Sequence, residues 1–368
     1  MRKIRVLVVD DSTVIRRLLS DSLSSDLDLE VAGTAANGKI ALAKIPQVNP
    51  DVITLDMEMP EMDGITTLVE IRKLYPKLPV IMFSTLTQRG AEATLDALSK
   101  GATDYVTKPA NVGSVMAAMQ NVRDELVPKI KAFCPWFAKC QPSTQTRSPA
   151  FQAKQGDARK APNGPTRIDI VAIGSSTGGP NALQIVLSRI PADFPVPIVV
   201  VQHMPPVFTK HLAERLNQLA TLNVVEAKRG DALLPGGVWI APGDHHMTLR
   251  RDATAMRIDL NQAIPENSCR PAVDVLFRSV SDLFGANVLS VVLTGMGRDG
   301  ARGCEAIRNA GGKVIAQDEA TSVVWGMPGA VARAGLADKI LPLDKIADEI
   351  VRQSVQGPKK RILEKAGV

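Results

Sequence analysis

Ser176 stands in Ile-Gly-Ser-Ser-Thr-Gly-Gly-Pro, with Gly174 and Gly178 two residues to either side. This G-x-S-x-G spacing gives a hydroxyl nucleophile small neighbours and lets it stand out where a strand turns into a helix. A glycine-rich phosphate loop is the competing reading. Gly174, Gly178 and Gly179 do not make G-x-G-x-x-G, and no Gly-Lys-Ser/Thr follows, so neither nucleotide fingerprint is met. A serine nucleophile needs a base and an acid that orients it. The chain has four histidines, His203, His211, His245 and His246. His203 directly follows the apolar run Ile198 to Val201. His211 falls in a helical pattern starting near Val207, where a surface role is expected, and His245 and His246 follow the turn Pro242-Gly243-Asp244, lining the site or merely solvated. Asp299 follows the apolar run Val288 to Leu293 in Leu-Thr-Gly-Met-Gly-Arg-Asp-Gly-Ala. The glycines of that loop let backbone N–H groups, notably that of Met296, approach a developing oxyanion.

A second constellation lies earlier in the chain. Asp10 and Asp11 follow the strand-like run Ile4 to Val9, Asp56 ends the run from Val52, Ser84 follows Val80 to Phe83, and Lys108 follows Asp104 to Thr107. Three carboxylates crowded together repel one another, and a hard, oxygen-seeking cation such as Mg²⁺ is the natural compensation. Lys108 adds positive charge from the opposite side. Positioning and charge neutralisation of this kind are what phosphoryl transfer asks of a protein.

The elements that must position these groups read as two layered α/β units. In the first, strand-like runs Ile4 to Val9, Glu30 to Thr34, Val52 to Leu55, Val80 to Phe83 and Asp104 to Thr107 alternate with helical spacing such as Val14, Ile15, Leu18 and Leu19. That alternation predicts a flavodoxin-like, doubly wound parallel sheet with helices on both faces, and functional residues beyond the carboxyl ends of its strands. In the second, Ile168 to Ile173, Pro197 to Gln202, Val238 to Ala241, Val288 to Leu293 and Lys313 to Gln317 predict a Rossmann-like, mainly parallel sheet. The same strand-end rule brings Ser176, His203 and Asp299 to one edge. Asn223 to Ala227, His246 to Arg251 and Ala255 to Leu260 have no long helix between them and predict a small antiparallel insertion. The predicted boundaries are 1–128 for the first domain, 129–167 for a flexible basic linker, 168–355 for the second domain and 356–368 for a basic tail.

With Val-Val-Asp-Asp-Ser, Leu-Asp-Met-Glu-Met-Pro-Glu-Met-Asp-Gly64 and Val-Thr-Lys-Pro109 in this order, the first domain resembles the receiver domain of bacterial response regulators. The resemblance implies that Asp56 accepts a phosphoryl group from a chemotaxis histidine kinase. It also implies that Asp10, Asp11, Asp56 and the Glu58 backbone carbonyl hold Mg²⁺, that Lys108 contacts the phosphoryl oxygens, and that Ser84 and Tyr105 are the switch residues. The Ser176, His203 and Asp299 motifs, with Asn-Ser-Cys-Arg-Pro-Ala-Val-Asp-Val-Leu-Phe277 and Trp325-Gly-Met-Pro-Gly-Ala-Val, resemble the catalytic domain of the chemotaxis receptor methylesterase, or protein-glutamate methylesterase/protein-glutamine glutaminase, family. The chain order Ser, His, Asp separates this domain from the α/β-hydrolases.

That resemblance implies hydrolysis of glutamyl methyl esters on methyl-accepting chemotaxis receptors and deamidation of certain receptor glutamines, serving sensory adaptation. Ser176 is then the nucleophile, His203 the base, Asp299 the orienting acid, and Thr177 and Met296 the oxyanion donors, with no cofactor for the esterase reaction. Ser175, where a smaller residue is the commoner choice, leaves open which serine attacks. Arg270 is read as a positioning group for the receptor helix or as plain surface. An unphosphorylated receiver that hinders access to the Ser176 edge is the expected mode of control.

Composition bounds the alternatives. At 368 residues the chain exceeds what one core usually supports. Residues 129–167 carry eight Lys/Arg and one Asp, so the net charge of +6 sits in the predicted linker and the remainder is close to neutral. That excludes a basic DNA-reading face, and no helix-turn-helix output appears, so no nucleic-acid partner is expected. Five prolines and many polar residues make the linker a poor core former, apart from the aromatic patch Phe133, Trp136 and Phe137, which is expected to dock on a domain. Cys134, Cys140, Cys269 and Cys304 show neither C-x-x-C nor zinc spacing to a histidine, and read as reduced thiols. No run is long enough to span a bilayer, so a cytoplasmic protein recruited to membrane receptor clusters, without insertion, is expected.

Overall fold

The computed structural model describes residues 2–108, 115–134, 136–137, 167–253 and 255–355. The chain divides into two compact units, Met1–Gln152 and Ala153–Val368.

In the first unit β1 (Ile4–Val9), β2 (Leu29–Ala35), β3 (Val52–Asp56), β4 (Val80–Ser84) and β5 (Asp104–Thr107) form one sheet in the order β2-β1-β3-β4-β5, with every pairing parallel. Helices α1 (Thr13–Ser24), α2 (Gly38–Val48), α3 (Gly64–Leu74), α4 (Gln88–Ser99) and α5 (Val115–Ala132) connect and close it. The apolar runs of β3 and β4 are buried along their whole length, as strands covered on both faces require. Ser12, Asn37, Asp63 and Thr87 cap α1 to α4, each side chain accepting from a backbone N–H one turn in. The chain reverses its direction of winding between β1 and β3, so the Asp10 and Asp56 strand ends are neighbours.

The predicted linker start at residue 129 is corrected by this unit. Helix α5 runs on to Ala132, and Lys129 is held there by Asp104 Oδ2 at 3.1 Å and by donating to the Tyr105 carbonyl at 2.5 Å. Lys131 pairs with Asp26 and Asp28 at 2.9 and 2.7 Å. Cys134 and Phe137 are buried in the first core, with Phe133 and Trp136 packed against them. The linker's polar composition hid this, because a few apolar residues were enough to extend the helix along an existing core. Residues 138–166 and the predicted tail at 356–368 lie outside the described residues.

In the second unit the main sheet has the order β14-β13-β12-β6-β7-β9-β8, again parallel throughout. Its members are β6 (Ile170–Ser175), β7 (Ile198–Gln202), β8 (Asn223–Glu226), β9 (Gly237–Ile240), β12 (Val288–Val292), β13 (Lys313–Gln317) and β14 (Lys339–Leu341). β10 (His246–Arg251) and β11 (Met256–Asn261) make a separate antiparallel hairpin. Helices α6 (Gly179–Leu187), α7 (Phe208–Leu219), α8 (Val273–Phe284), α9 (Ala301–Asn309), α10 (Met327–Arg333) and α11 (Leu343–Val355) complete it.

Asn223–Glu226 departs from expectation: it pairs parallel with β9 in the main sheet and does not join the antiparallel insertion. A helix is the usual crossover between parallel strands, but here a loop makes the crossing. That loop rests on the hairpin through Gly230 N–H to the Ile258 carbonyl at 2.8 Å and Leu233 N–H to the Met256 carbonyl at 2.9 Å. The hairpin's Met247, Leu249 and Ile258 then fill the core where a crossover helix would lie. The three-residue β14 gave no periodic signal. No described helix is long and apolar enough to cross a membrane.

Candidate functional site

In the first unit the strand-end residues converge on a cleft of about 650 Å³ lined by Asp11, Asp56, Glu58, Ser84 and Lys108, among others. Lys108 Nζ lies 2.7 Å from Asp56 Oδ1 and 3.3 Å from Asp10 Oδ2. Asp10 Oδ1 accepts from the Ser12 N–H at 2.8 Å. Among the described residues no well-aligned hydrogen-bond donor reaches the buried Asp10 Oδ2 or Asp56 Oδ2, the Lys108 ammonium meeting Asp10 Oδ2 only as an ion-pair partner. Burial pushes both carboxyls up against the pull of Lys108, Asp56 to about 6. One oxygen from each of Asp10, Asp11 and Asp56 falls within a 4.8 Å cluster. Undonated buried carboxylate oxygens beside an exposed third acid fit a hard divalent cation. The exposed Glu58 side chain lies 3.8 Å from Arg89 and is not one of the clustered acids. Ser84 Oγ faces α4, donating to the Gly90 carbonyl at 3.1 Å and accepting from Thr94 Oγ1 at 2.8 Å. Tyr105 is buried, with Lys129 Nζ 5.2 Å from its ring centre.

In the second unit β6 lies between β7 and β12, with Ser175 opposite Gln202 and Gly174 opposite Val292. Ser176 and His203 therefore leave adjacent strand ends, and Asp299 arrives from the other side of β6. The Ser176 turn is fixed from both neighbours: its N–H donates to the Thr294 carbonyl at 3.0 Å, and the His203 N–H donates to the Ser175 carbonyl at 3.1 Å. Gly178 at φ +75° caps α6, a conformation that L side chains rarely adopt. Gly295 presses on the turn so closely that a Cβ there would lie 2.9 Å from Ser176 Cβ.

His203 Nε2 lies 2.8 Å from Asp299 Oδ2. Asp299 is otherwise saturated, accepting from Val273 N–H at 2.7 Å, Asp274 N–H at 3.0 Å, Gly300 N–H at 2.9 Å and Asn267 Nδ2 at 2.8 Å. Burial alone would raise its carboxyl; the His203 contact and the amides at the N-terminus of α8 outweigh this and hold it below its ordinary value. Burial likewise works to lower the His203 imidazole, and the Asp299 contact overrides it and raises the group. A carboxylate that holds the proton on Nε2 leaves Nδ1 as the proton-accepting nitrogen.

The other sequence candidates are distributed unevenly. The Ser175 hydroxyl is fully buried and donates to Gln202 Oε1 at 2.7 Å, whereas Ser176 is partly exposed. Thr177 follows the turn and Met296 follows Gly295, and no acceptor is found for either N–H among the described residues. His211 pairs with Glu214 at 3.2 Å on α7. The buried His246 lies 3.1 Å from the Ile264 carbonyl through Nε2 and accepts from Ala272 N–H at 3.2 Å through Nδ1, a packing role. Arg270 is spent on Asp244 Oδ1 and on the Gln262 and Ala263 carbonyls, so it clamps a loop.

Sequence reasoning missed several supports. Gln202 Nε2 donates to the Ser176 carbonyl at 2.9 Å and the His203 carbonyl at 3.2 Å, strapping the two strand ends together. Thr294 Oγ1 donates to the Thr177 carbonyl at 2.9 Å. Cys269 Sγ sits 3.5 Å from His203 Nδ1. Gln202 and Thr294 are the polar residues that interrupt apolar strand ends, a signal that was available; Cys269 gave none.

Both units match known protein families. Residues 6–120 match the response regulator receiver domain family and residues 171–350 match the CheB methylesterase family. A protein-glutamate methylesterase/protein-glutamine glutaminase of Trichodesmium erythraeum is 56% identical over 356 residues, covering 96% of this chain and 99% of the relative. One of Nocardioides sp. is 54% identical over 354 residues, covering 96% of each. The crystal structure of the Thermotoga maritima CheB methylesterase catalytic domain superposes with a TM-score of 0.50 at 44% identity, covering 50% of this chain and 98% of that one. A receiver unit and a Ser176-bearing α/β unit joined in one chain, matched end to end by such relatives, make the chain a member of the protein-glutamate methylesterase/protein-glutamine glutaminase family.

Proposed function

We propose that the chain hydrolyses glutamyl methyl esters on methyl-accepting chemotaxis receptors to glutamate and methanol, and deamidates specific receptor glutamines, under control of phosphorylation at Asp56. The observation that carries the reading is the 2.8 Å His203–Asp299 contact at the strand ends that flank the Ser176 turn. His203 Nδ1 takes the proton as Ser176 Oγ bonds to the ester carbonyl carbon. The Thr177 and Met296 N–H groups stabilise the oxyanion. The proton then passes from His203 to the departing methoxide, and the same nitrogen activates the water that releases the glutamate. With a glutamine substrate, ammonia leaves in place of methanol.

In the first unit Asp10, Asp11, Asp56 and the Glu58 carbonyl would hold Mg²⁺, which neutralises charge during transfer of a phosphoryl group to Asp56 from a chemotaxis histidine kinase. Lys108 pairs with the phosphoryl oxygens in place of the Asp56 carboxylate. Ser84 must give up its contacts on α4 to reach them, and Tyr105 is the second switch residue. The protein acts in the cytoplasm, recruited to receptor clusters at the membrane. Methanol release from methylated receptor, with and without a small phosphodonor, tests this reading. Release that depends on Ser176 and rises with phosphodonor supports it; no release from any methylated receptor, or release indifferent to phosphodonor and to Asp56→Asn, refutes it.

A further inference from the structure

The Cys269 thiol and the His203 ring lie together although 66 residues separate them in the chain. Sγ is 3.5 Å from Nδ1, and one ligand atom from each of Cys269, His203 and Asp299 falls within 4.8 Å of the others. We propose that Cys269 Sγ and His203 Nδ1 bind a borderline-soft divalent cation of the Zn²⁺ class, and that this cation inhibits hydrolysis by occupying the proton-accepting nitrogen.

Zn–S and Zn–N bonds of about 2.3 and about 2.0 Å at a tetrahedral angle set the two ligand atoms about 3.5 Å apart, so the observed separation needs little adjustment. The ring is also oriented for it. A metal-binding imidazole characteristically donates its other N–H to a carboxylate, and Asp299 accepts at Nε2 while four further donors fix the carboxylate in place. A sulfur and nitrogen pair selects Zn²⁺ over Mg²⁺, unlike the all-oxygen cluster of Asp10, Asp11 and Asp56. Cys269 is partly exposed, whereas Cys134 and Cys304 are buried with their thiols pushed up by desolvation. Binding breaks the Sγ–H bond, and from the imidazolium the Nδ1–H bond as well, releases these protons to solvent and forms Sγ–metal and Nδ1–metal bonds; nothing is oxidised or reduced. With two protein ligands, the remaining coordination positions fall to water.

The binding half rests on these contacts alone, and the inhibitory half rests on the proposed role of His203 as base. Co²⁺ titrated into the full chain provides a spectroscopic probe. The expected result is a near-ultraviolet thiolate-to-cobalt absorption band that is lost in both Cys269→Ser and Cys269→Ala and is displaced by Zn²⁺. Saturating Zn²⁺ should lower methanol release at least tenfold in the parent chain, with each Cys269 variant unaffected relative to its own metal-free rate. No band, or a band that survives both substitutions, overturns the site. A band that tracks Cys269 while hydrolysis is undiminished overturns the inhibitory half. A parent chain that releases no methanol without metal counts against the hydrolase reading, and the band still decides the site.

Discussion

Replacing Asp299 by asparagine tests the proposed division of labour around His203 more sharply than removing the residue. The asparagine amide must place its NH₂ on one of two sides. At the Oδ1 position it would meet three donors, Asp274 N–H, Gly300 N–H and Asn267 Nδ2. At the Oδ2 position it would meet Val273 N–H and His203 Nε2. Only the imidazole can adapt to a donor, by moving its proton from Nε2 to Nδ1, so the second placement is the less costly. That tautomer has no lone pair on Nδ1 and cannot accept the Ser176 proton. The expected loss in kcat is on the order of 10⁴-fold, about 5.5 kcal/mol of transition-state stabilisation. A second consequence concerns pH. The Asp299 contact raises His203 above its ordinary 6.5, so the acid limb of kcat/KM should lie above pH 6.5 in the parent chain and move down in the variant. For the same reason the pair's contribution to stability is fully present between pH 3.8 and pH 6.5; it is lost as pH rises through the raised His203 value and as pH falls through the lowered Asp299 value. Steady-state methanol release across pH, with nitrogen NMR of the His203 ring to read the tautomer, measures both. An Asp299→Asn chain within tenfold of parental kcat, with Nε2 still protonated, would refute the reasoning.

Ser176→Ala should cost hydrolysis 10⁴-fold or more, because the three groups act as a unit. Ser175→Ala should leave hydrolysis largely intact and lower stability by about 1–3 kcal/mol, since it strips the buried Gln202 Oε1 of its donor; activity lost with Ser175 and kept without Ser176 would move the nucleophile by one position. Asp56 is raised from 3.8 to about 6, a penalty of about 3 kcal/mol on the ionised carboxylate at neutral pH that fades as pH falls through 6 towards 3.8. Urea titration of Asp56→Asn should therefore show a first unit no less stable than the parent's at pH 7, despite the lost Lys108 partner, and a smaller gain on adding Mg²⁺, while labelling by a phosphodonor disappears. Phe137→Ala should destabilise the first unit by about 3 kcal/mol, measured by the same titration; no change would place the aromatic patch outside the core.

The strand pattern was legible because buried parallel strands are written as short, nearly continuous apolar runs. Val80 to Phe83 and Lys313 to Gln317 were recovered to within a residue, and the strand-end rule then located Asp10, Asp56, Lys108, Ser176, His203 and Asp299. What failed had no local signature. β8 looks like a hairpin partner because the element that covers its crossover, the β10–β11 hairpin, comes later in the chain. Residues 129–137 look like linker because their docking depends on a core built from β1 and α1. Asn267 and Cys269 act through contacts to residues far away in sequence, and periodicity is blind to such contacts.

The choice of ring nitrogen follows from the sheet order. His203 leaves the end of β7 and Asp299 comes from the end of β12, with β6 between them. Neighbouring strands stand about 4.8 Å apart, so the imidazole has to bridge roughly 10 Å of sheet edge with help from the Asp299 loop. Nε2, the nitrogen farther from the backbone, is the one that can reach across to the carboxylate. Nδ1, nearer the backbone, is left clear of the acid, 3.5 Å from Cys269 Sγ, and is the nitrogen that the proposed mechanism turns to Ser176. This reverses the assignment in the serine proteases, in which Nδ1 faces the acid and Nε2 the nucleophile. The reversal makes Nδ1 the nitrogen on which hydrolysis should depend, and it is also the nitrogen that Cys269 flanks, so proton transfer and metal binding compete for a single lone pair.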